Sequence, residues 1–415
     1  MRFNIKSLGP GLLWAGAAIG VSHLVQSSRA GAIYGFDLVG IILLINLFKY
    51  PFFEFGPRYA ASTGESLLQG YNRLGKWGLI LYVLLTLGTM FTLQAAITAV
   101  TAGLFSNVFP GSFTPFTWAL IILITGILII TIGKFSFLDK IIKFIISLLA
   151  ISTLVAVVSA ITKGFNPDPE FSRSFEWNFA DIALLIAIAG WMPSAIDISV
   201  WHSLWTIAKK KETGYTPKLK ESLFDFNVGY IGTAILSIGF LSLGALVMYG
   251  SGEQFSDNGT QFAGQLINLF TFNLGSWAYI LIAIAALTTM SSTTLTCLDA
   301  YPRVLKPTTE LLFPKVSSRK DWNWLSWMWL GILFVGTITI LKFFVTAMSF
   351  LVDLATTLSF LTAPVLGYMN YKVVTGSNVN REAQPKLWLR ILTWVGLVVL
   401  SGFGIYYIIW KFFIL

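Results

Sequence analysis

Two short stretches of the sequence combine helix-breaking residues with side chains that can bind an ion. They lie at positions 20–23 and 190–194, each inside a long apolar segment. Unwound backbone at membrane depth must be satisfied by protein or by a water-filled cavity. Its freed carbonyls can coordinate cations, and its freed N–H groups attract anions. The residues predicted to bind substrate there are Gly20, Val21, Ser22, His23, Gly190, Trp191, Met192 and Ser194.

The side chains at these stretches leave two chemistries open. Hard divalent cations require oxygen ligands, commonly carboxylates, and positions 20–23 contain no carboxylate. Softer transition ions accept thioether and imidazole groups, so a bound metal would use Met192, Asp197 and His23. Without a metal, the hydroxyl groups and the two half-helix N-termini form a neutral or basic site that suits a small anion.

Further polar residues lie in or beside the apolar segments and are candidates for the transport pathway or for coupling. Arg29 lies six residues beyond His23, about 9 Å along a helix, and is placed to line an outer vestibule. His202 is expected near the inner interface. An acid such as Asp353 inside an apolar span is a functional candidate by default. The pathway and coupling candidates are Arg29, Asp197, His202, Ser291, Ser292, Thr293 and Asp353.

Two other pairs of charges are expected to be structural. Lys49 and Glu54 share one apolar span and are predicted to pair with each other or to extend toward the interface. Asp299 and Arg303 are four residues apart on a predicted helix, which favours an ion pair. The single cysteine, Cys297, is expected to be a small core residue.

The composition identifies the solvent that these segments meet. Hydrophobic residues make up 55% of the 415 residues and charged residues only 11%, whereas a soluble protein is about one-quarter charged. A spanning helix needs about 20 mostly apolar residues. The sequence therefore predicts an all-α membrane protein with eleven spans, at about 10–34, 38–61, 78–105, 116–134, 139–162, 179–208, 224–250, 273–301, 325–343, 345–373 and 387–413.

The basic residues indicate the orientation. Most of the 28 lysine and arginine residues fall in alternate connections, which are predicted to be cytoplasmic. The N-terminus is then cytoplasmic and the C-terminus outside, in a multi-pass protein of a bacterial inner membrane. The net charge of +9 reflects this topology, so no nucleic-acid partner is expected. Neither a cofactor nor an obligatory protein partner is predicted, and the expected partners are the lipid bilayer and a small inorganic ion.

The two interrupted spans are the first and the sixth, and they start on opposite sides of the membrane. This spacing predicts two inverted five-helix repeats, at about 10–162 and 179–373, followed by an extra helix at about 387–413. All lie within one transmembrane domain covering residues 1–415. Paired interruptions in corresponding helices of two halves indicate the substrate site of a secondary transporter.

Several sequence motifs lie at or near these spans. The chain resembles the Nramp family of proton-coupled divalent-metal transporters at these motifs. The family typically has glutamine where this chain has Arg29. The matching residues are Gly9-Pro10-Gly11-Leu12-Leu13, Arg29-Ala30-Gly31-Ala32-Ile33-Tyr34-Gly35, Asn46-Leu47, Arg58, Thr63-Gly64, Met192-Pro193 and Ser291-Ser292-Thr293.

The resemblance implies a LeuT-type fold and alternating access around a mid-membrane ion site. It also reveals departures from the family pattern. The family carries Asp-Pro-Gly-Asn at the first break, where this chain has Gly20 in place of the metal-binding Asp and His23 in place of the Asn. The histidine that follows Met-Pro in the family is Ser194, and positions 86–105 of the third span contain no acid or base.

These departures predict a secondary transporter whose altered site favours a small anion, for example bicarbonate, over transition metals. The alternative is a Mn, Fe or Mg transporter that uses substitute ligands. A membrane receptor or sensor would require an appended domain, and none is visible in the sequence. An enzyme is not expected, because the sequence lacks HExxH, GxSxG and paired acids at the breaks.

Overall fold

The structure, a computed structural model, describes residues 9–132, 135–163, 173–251, 253–314 and 323–414, and every regular element within those ranges is helical. The predicted cytoplasmic N-terminal residues 1–8 lie outside them, as does the basic segment 315–322. The α-helices are α1 Pro10–Ala18, α2 Ser28–Tyr34, α3 Val39–Thr63, α4 Leu67–Arg73, α5 Lys76–Val108, α6 Pro115–Ile132, α7 Phe135–Lys163, α8 Phe179–Trp191, α9 Ile198–Thr213, α10 Leu219–Val247, α11 Gly259–Leu274, α12 Ala278–Leu312, α13 Asn323–Phe344, α14 Met348–Val374 and α15 Leu387–Ile409. Two π-helical segments, Ser22–Ser27 and Trp410–Ile414, precede α2 and follow α15.

Eight helices of the described chain are long and apolar enough to cross a membrane: α3, α5, α6, α10, α12, α13, α14 and α15. This confirms the predicted all-α membrane architecture. The other three predicted spans fall on α1 with α2, on α7, and on α8 with α9. The first and third are interrupted, and residues 147–162 of α7 form a shorter apolar helix. The count of eleven spans therefore stays a prediction.

The two interrupted helices run antiparallel to each other. Helix α1, which precedes the first break, packs against α9, which follows the second break. Likewise α8, which precedes the second break, packs against the π-helical segment that follows the first. The two breaks therefore meet in the interior of the helix bundle.

Helix contacts elsewhere in the bundle come in matched pairs. The contact of α2 with α10 corresponds to that of α9 with α3, and α1 with α7 corresponds to α8 with α14. The pairs α7–α10 and α14–α3 correspond in the same way, as do α5–α6 and α12–α13. Exchanging the first five predicted spans with the next five reproduces each contact. The repeat boundaries stay a prediction, which this correspondence supports.

Helices α2 and α10 approach each other through glycine. A Cβ atom at Gly31 would overlap the carbonyl oxygen of Leu241, and one at Gly244 would overlap that of Ser28. Small residues permit this direct backbone contact between membrane helices. Helix α2, in the half that follows the first break, is thereby held against α10.

Helix α1, the half that precedes the first break, is anchored to α10 by charge. The carboxylate of Asp225 accepts hydrogen bonds from the backbone N–H groups of Gly9 and Gly11 at 3.1 and 2.6 Å. These groups lie at the start of α1, where the helix dipole favours a negative charge. Both halves of the broken helix are therefore held by one neighbouring helix.

Candidate functional site

The break in the first helix leaves carbonyl groups that side chains then satisfy. Helix α1 ends at Ala18, and Ile19 is extended, with φ −78° and ψ 97°. The Ser22 hydroxyl lies 2.9 Å from the carbonyl oxygen of Ala18. The Thr293 hydroxyl from α12 lies 3.3 Å from that of Ile19. Two hydroxyl groups therefore lie within hydrogen-bond distance of the carbonyls at the negative end of α1.

The break in the sixth predicted span follows from Pro193. The carbonyl of Ala189 would accept a helical hydrogen bond from residue 193, but proline has no N–H. Helix α8 ends at Trp191, Met192 is extended, and α9 begins at Ile198. The helical hydrogen-bond ladder is therefore interrupted over residues 192–197.

A lysine from another helix caps the carbonyls at this second break. Lys49 of α3 is fully buried, and its Nζ donates to the carbonyl oxygens of Ala189, Gly190 and Ser194 at 3.0, 3.0 and 2.8 Å. The negative end of α8 is therefore occupied by an ammonium group.

The unwound segment before α9 is different, because three of its backbone donors remain open. The N–H groups of Ser194, Ala195 and Ile196 make no backbone hydrogen bond within the part of the chain that the structure describes. The first N–H groups of α9 itself donate to the carbonyl oxygens of residues 195–197 at 3.2, 2.9 and 2.9 Å. The open donors of this break therefore belong to residues 194–196, just before the positive end of the α9 dipole.

A small buried cavity lies between the two breaks. Its volume is about 30 Å³, which is room for about two water molecules or one small ion. Side chains from α1, α5, α9 and α12 complete its wall, and every lining residue is buried. None of the described residues lining it is charged. The predicted substrate-binding and pathway residues that line it are Gly20, Val21, Ser22, Trp191, Ser194 and Thr293.

Other predicted residues lie near the cavity without lining it. Gly190 packs against α14, where an added Cβ would overlap the carbonyl oxygen of Thr356. Met192 is fully buried in the break. Ser291 and Ser292 precede Thr293 on α12 but are not part of the lining.

His23 is engaged on both sides of its ring. Its Nε2 lies 3.0 Å from the carbonyl oxygen of Thr233 on α10, and Nδ1 lies 2.7 Å from the Ser22 hydroxyl. A carbonyl can only accept, so Nε2 carries the proton. His23 therefore joins the first break to α10 and has no free nitrogen for a metal in this conformation.

The three proposed metal ligands lie outside the cavity lining. Met192, Asp197 and His23 are buried, but none of them lines the cavity. In the described ranges no group of three or more His, Cys, Asp or Glu residues is arranged to hold a metal. Asp197 Oδ2 is buried and lacks a hydrogen-bond partner among the residues described.

Two of the pathway candidates meet across a helix boundary. Arg29 donates to Asp353 Oδ1 at 2.9 Å, and Gln26 donates to the same oxygen at 3.1 Å. This cluster joins α2 and the π-helical segment before it to α14, on the predicted outer side of the cavity. The sequence placed Arg29 in an outer vestibule without naming its partner.

His202 is buried within the protein, and its predicted place near the inner membrane interface stays a prediction. The side chain is fully buried, with its ring centroid 5.8 Å from that of Phe226. Neither ring nitrogen has a hydrogen-bond partner among the described residues. The reason is that α9 packs between α1 and α3, so this half of the broken helix faces protein.

The predicted pairing of Lys49 with Glu54 is wrong. Glu54 pairs with Arg58, whose Nε donates to it at 2.7 Å, because residues four apart share a helix face. Five residues separate Lys49 from Glu54, so the lysine points elsewhere. The predicted Asp299–Arg303 pair is confirmed, with two hydrogen bonds of 2.8 Å each.

Lys49 is the site residue that the sequence reasoning missed. One signal was available: Glu54 already had Arg58 at the favourable spacing, which left a lysine in an apolar span without a nearby acid. That signal shows that Lys49 needs a partner, and only the packing of α3 against the second break identifies it.

Comparison with known proteins identifies one family and one similar sequence. The family described as "Natural resistance-associated macrophage protein-like" (Nramp) matches residues 11–410. The uncharacterized protein PM0681 of Pasteurella multocida (strain Pm70) is 37% identical over 411 residues, which cover 98% of this chain and 92% of that protein.

Solved structures with the same fold include three transporters. A mutant of the manganese transporter of Eremococcus coleocola has a TM-score of 0.68 at 14% identity, covering 98% of this chain and 87% of that one. MhsT in complex with L-phenylalanine has a TM-score of 0.66 at 13% sequence identity, covering 99% of this chain and 98% of that one. Mhp1, a nucleobase-cation-symport-1 family transporter, has a TM-score of 0.62 at 16% sequence identity, covering 99% of this chain and 94% of that one. These similarities confirm the predicted LeuT-type fold.

Proposed function

Because the chain belongs to the Nramp family, we propose that it is a secondary transporter that moves a small inorganic anion by alternating access. The cavity between the two breaks is the proposed substrate site. Bicarbonate is an example of an anion of suitable size.

The observation that carries this proposal is how the backbone at the breaks is used. At the second break, three carbonyls that could coordinate a cation already accept hydrogen bonds from Lys49, and at the first the Thr293 hydroxyl lies 3.3 Å from the carbonyl oxygen of Ile19. The N–H groups of residues 194–196, in the unwound segment before α9, have no backbone acceptor in the described chain and are free to bind an anion. The available backbone groups therefore favour negative charge.

The wall of the cavity supports the same charge preference. A Cβ at Gly20 would lie 2.9 Å from the side chain of Thr293. The family's metal-binding aspartate would stand at position 20, and Thr293 occupies the space that such a side chain would enter. An uncompensated divalent cation in a membrane interior is very unfavourable. A divalent cation is therefore a poor fit to this cavity.

The size of the cavity supports a small substrate. About 30 Å³ is room for about two water molecules, which matches a small ion. The Arg29–Asp353 pair is proposed to close the outer side. The protein is proposed to lie in a bacterial inner membrane, with its N-terminus cytoplasmic and its C-terminus outside.

A flux assay in proteoliposomes tests the proposal. We expect uptake of at least one of bicarbonate, nitrate and chloride, and no protein-dependent uptake of Mn²⁺ or Mg²⁺. Robust Mn²⁺ uptake that Asp197→Ala abolishes would refute the anion assignment.

Cys297 provides a second readout, because the only cysteine of the chain lines the cavity. A transported anion is expected to slow the reaction of Cys297 with a small thiol reagent. The rate in Mn²⁺ should equal the rate without substrate. The Cys297→Ser variant gives the background labelling.

The second candidate function is divalent-metal transport with Met192, Asp197 and His23 as ligands. One observation favours it: Asp197 is buried beside the break, and its Oδ2 has no hydrogen-bond partner among the described residues. Calorimetric titration with Mn²⁺ tests it, because this candidate requires binding that Asp197→Asn removes. Absence of heat with every divalent ion would exclude it.

A further inference from the structure

The three carbonyl oxygens at the second break converge on one point. Pro193 frees the carbonyl of Ala189, and the end of α8 at Trp191 frees that of Gly190. The unwound segment turns the carbonyl of Ser194 toward the same place, since all three accept from the single Nζ atom of Lys49. Rings of backbone carbonyls replace the hydration shell of a monovalent cation in this way.

The geometry identifies the charged form of Lys49. An ammonium group has three N–H donors and no acceptor, which matches three carbonyl oxygens at 3.0, 3.0 and 2.8 Å. A neutral amine has only two N–H groups, so its lone pair would face one of the carbonyls. All three carbonyl oxygens therefore receive a hydrogen bond only when Lys49 is positively charged.

The surroundings also compensate a positive charge. The end of α8 contributes the negative end of its helix dipole. The carboxylate of Asp197 is close enough for a Coulombic interaction with Lys49, and the Phe53 ring centroid lies 5.8 Å from Nζ. Lys49 itself is fully buried. No solvent is needed to satisfy the ammonium group.

We propose that the second break contains a monovalent-cation site that Lys49 fills as a tethered cation. The lysine belongs to α3 and the site to the α8–α9 break, so its charge holds the unwound segment in place. A free alkali cation is then not required at this break. This inference goes beyond the proposed function and does not depend on the substrate being an anion.

Chemical rescue of Lys49→Ala tests the proposal. The substitution removes three carbons and the ammonium group, which is the composition of n-propylammonium. We expect purified Lys49→Ala to melt several degrees below the wild type. Its melting temperature should rise in a saturable way with n-propylammonium, Na⁺ or K⁺, because a ligand that binds only the folded state stabilises it.

Choline chloride at equal ionic strength and neutral 1-propanol are expected to have no such effect. The wild type should be insensitive to all of these additives, because its site is already filled. Lys372→Ala is the matched control, since Lys372 lies in the last turn of α14 with Nζ 5.5 Å from the Tyr368 ring centroid. It should show no saturable response.

Lys49→Met separates the charge from the volume and decides the question if Lys49→Ala does not fold. We expect Lys49→Met to melt below the wild type and no cation to restore it, because the methionine side chain fills the site. Wild-type melting of Lys49→Met would overturn the proposal, as would an absence of rescue in a folded Lys49→Ala. Both readouts are taken without substrate, so they are independent of the anion flux result.

Discussion

Thr293 is the residue that limits what the first break can hold. Its hydroxyl donates to backbone carbonyls at 3.0 Å on its own helix and 3.3 Å on Ile19, and its side chain lies against Gly20. A larger residue at position 20 must displace it. The identities of these two residues are therefore coupled.

We predict that Gly20→Asp alone gives no Mn²⁺ binding and destabilises the protein, because the new side chain meets Thr293. The double variant Gly20→Asp with Thr293→Ala removes the obstruction and is expected to acquire measurable Mn²⁺ binding by calorimetry. Thr293→Ala alone is the control and should bind none. Mn²⁺ binding by the single Gly20→Asp variant would contradict the steric argument.

The two histidines are predicted to respond in opposite ways to the same substitution. His23→Leu removes the hydrogen bonds of the ring with the Thr233 carbonyl and the Ser22 hydroxyl, and at about 0.5–1.5 kcal/mol for each bond it should cost about 1–3 kcal/mol. His202→Leu removes a buried ring whose nitrogens have no partner in the described chain, so it should be neutral or stabilising. Denaturant unfolding in mixed micelles measures the free energy of unfolding of both variants. Equal losses of stability in the two would contradict the hydrogen-bond assignment.

At the scale of helices, the contact of α2 with α10 depends on glycine, and the contact of α2 with α14 depends on charge. The first is a backbone approach at Gly31 and Gly244. The second is the Arg29–Asp353 pair, in which the side chains are 15% and 39% exposed. The glycine contact joins α2 to α10, and the partly exposed ion pair joins α2 to α14. The ion pair is therefore the contact that can open.

We predict that Gly31→Ala destabilises the protein by about 1–3 kcal/mol, because an added Cβ overpacks a direct backbone contact. Gly88→Ala in α5 is the matched control, since an added Cβ there meets no atom within 4 Å. It should be neutral or slightly stabilising. Equal unfolding free energies for the two variants would show that the contact is not tight.

We predict that Asp353→Asn increases the rate at which Cys297 reacts with a membrane-impermeant thiol reagent. Removing the charge weakens the pair with Arg29 and favours opening of the cavity on that side. Asp299→Asn is the control, because its partner Arg303 lies on the same helix, so this pair does not join two helices. A rate unchanged from the wild type in Asp353→Asn would exclude the pair as a closure.

At the scale of the whole molecule, the matched helix contacts place two antiparallel broken helices at the centre of the bundle. The lining of the cavity is buried throughout. Two similar halves around one site provide a structural basis for opening one side at a time.

The orientation is a prediction at this scale. Residues 1–8 should be cytoplasmic and the C-terminus outside, so a C-terminal alkaline phosphatase fusion should be active and a C-terminal green fluorescent protein fusion dark. Fusions truncated within the loop between α14 and α15, at about residue 380, should give the opposite result. Matching signals from the two positions would disprove the assignment of α15 as a span.

The sequence by itself determined the class of fold, the two breaks and the ion pair of Asp299 with Arg303. These features depend on neighbours within a few positions: apolar runs, the missing N–H of Pro193, and the four-residue spacing of a helix. It also placed six residues that line the cavity. Local chemistry of this kind acts the same way whatever the rest of the chain does.

The tertiary structure alone decided which groups satisfy the breaks. Lys49 reaches carbonyls 140 to 145 positions away, and Thr293 reaches a carbonyl 274 positions away. His202 is buried only because α9 packs between α1 and α3. A sequence states that a buried lysine or carbonyl needs a partner, but the partner is set by which helix faces meet.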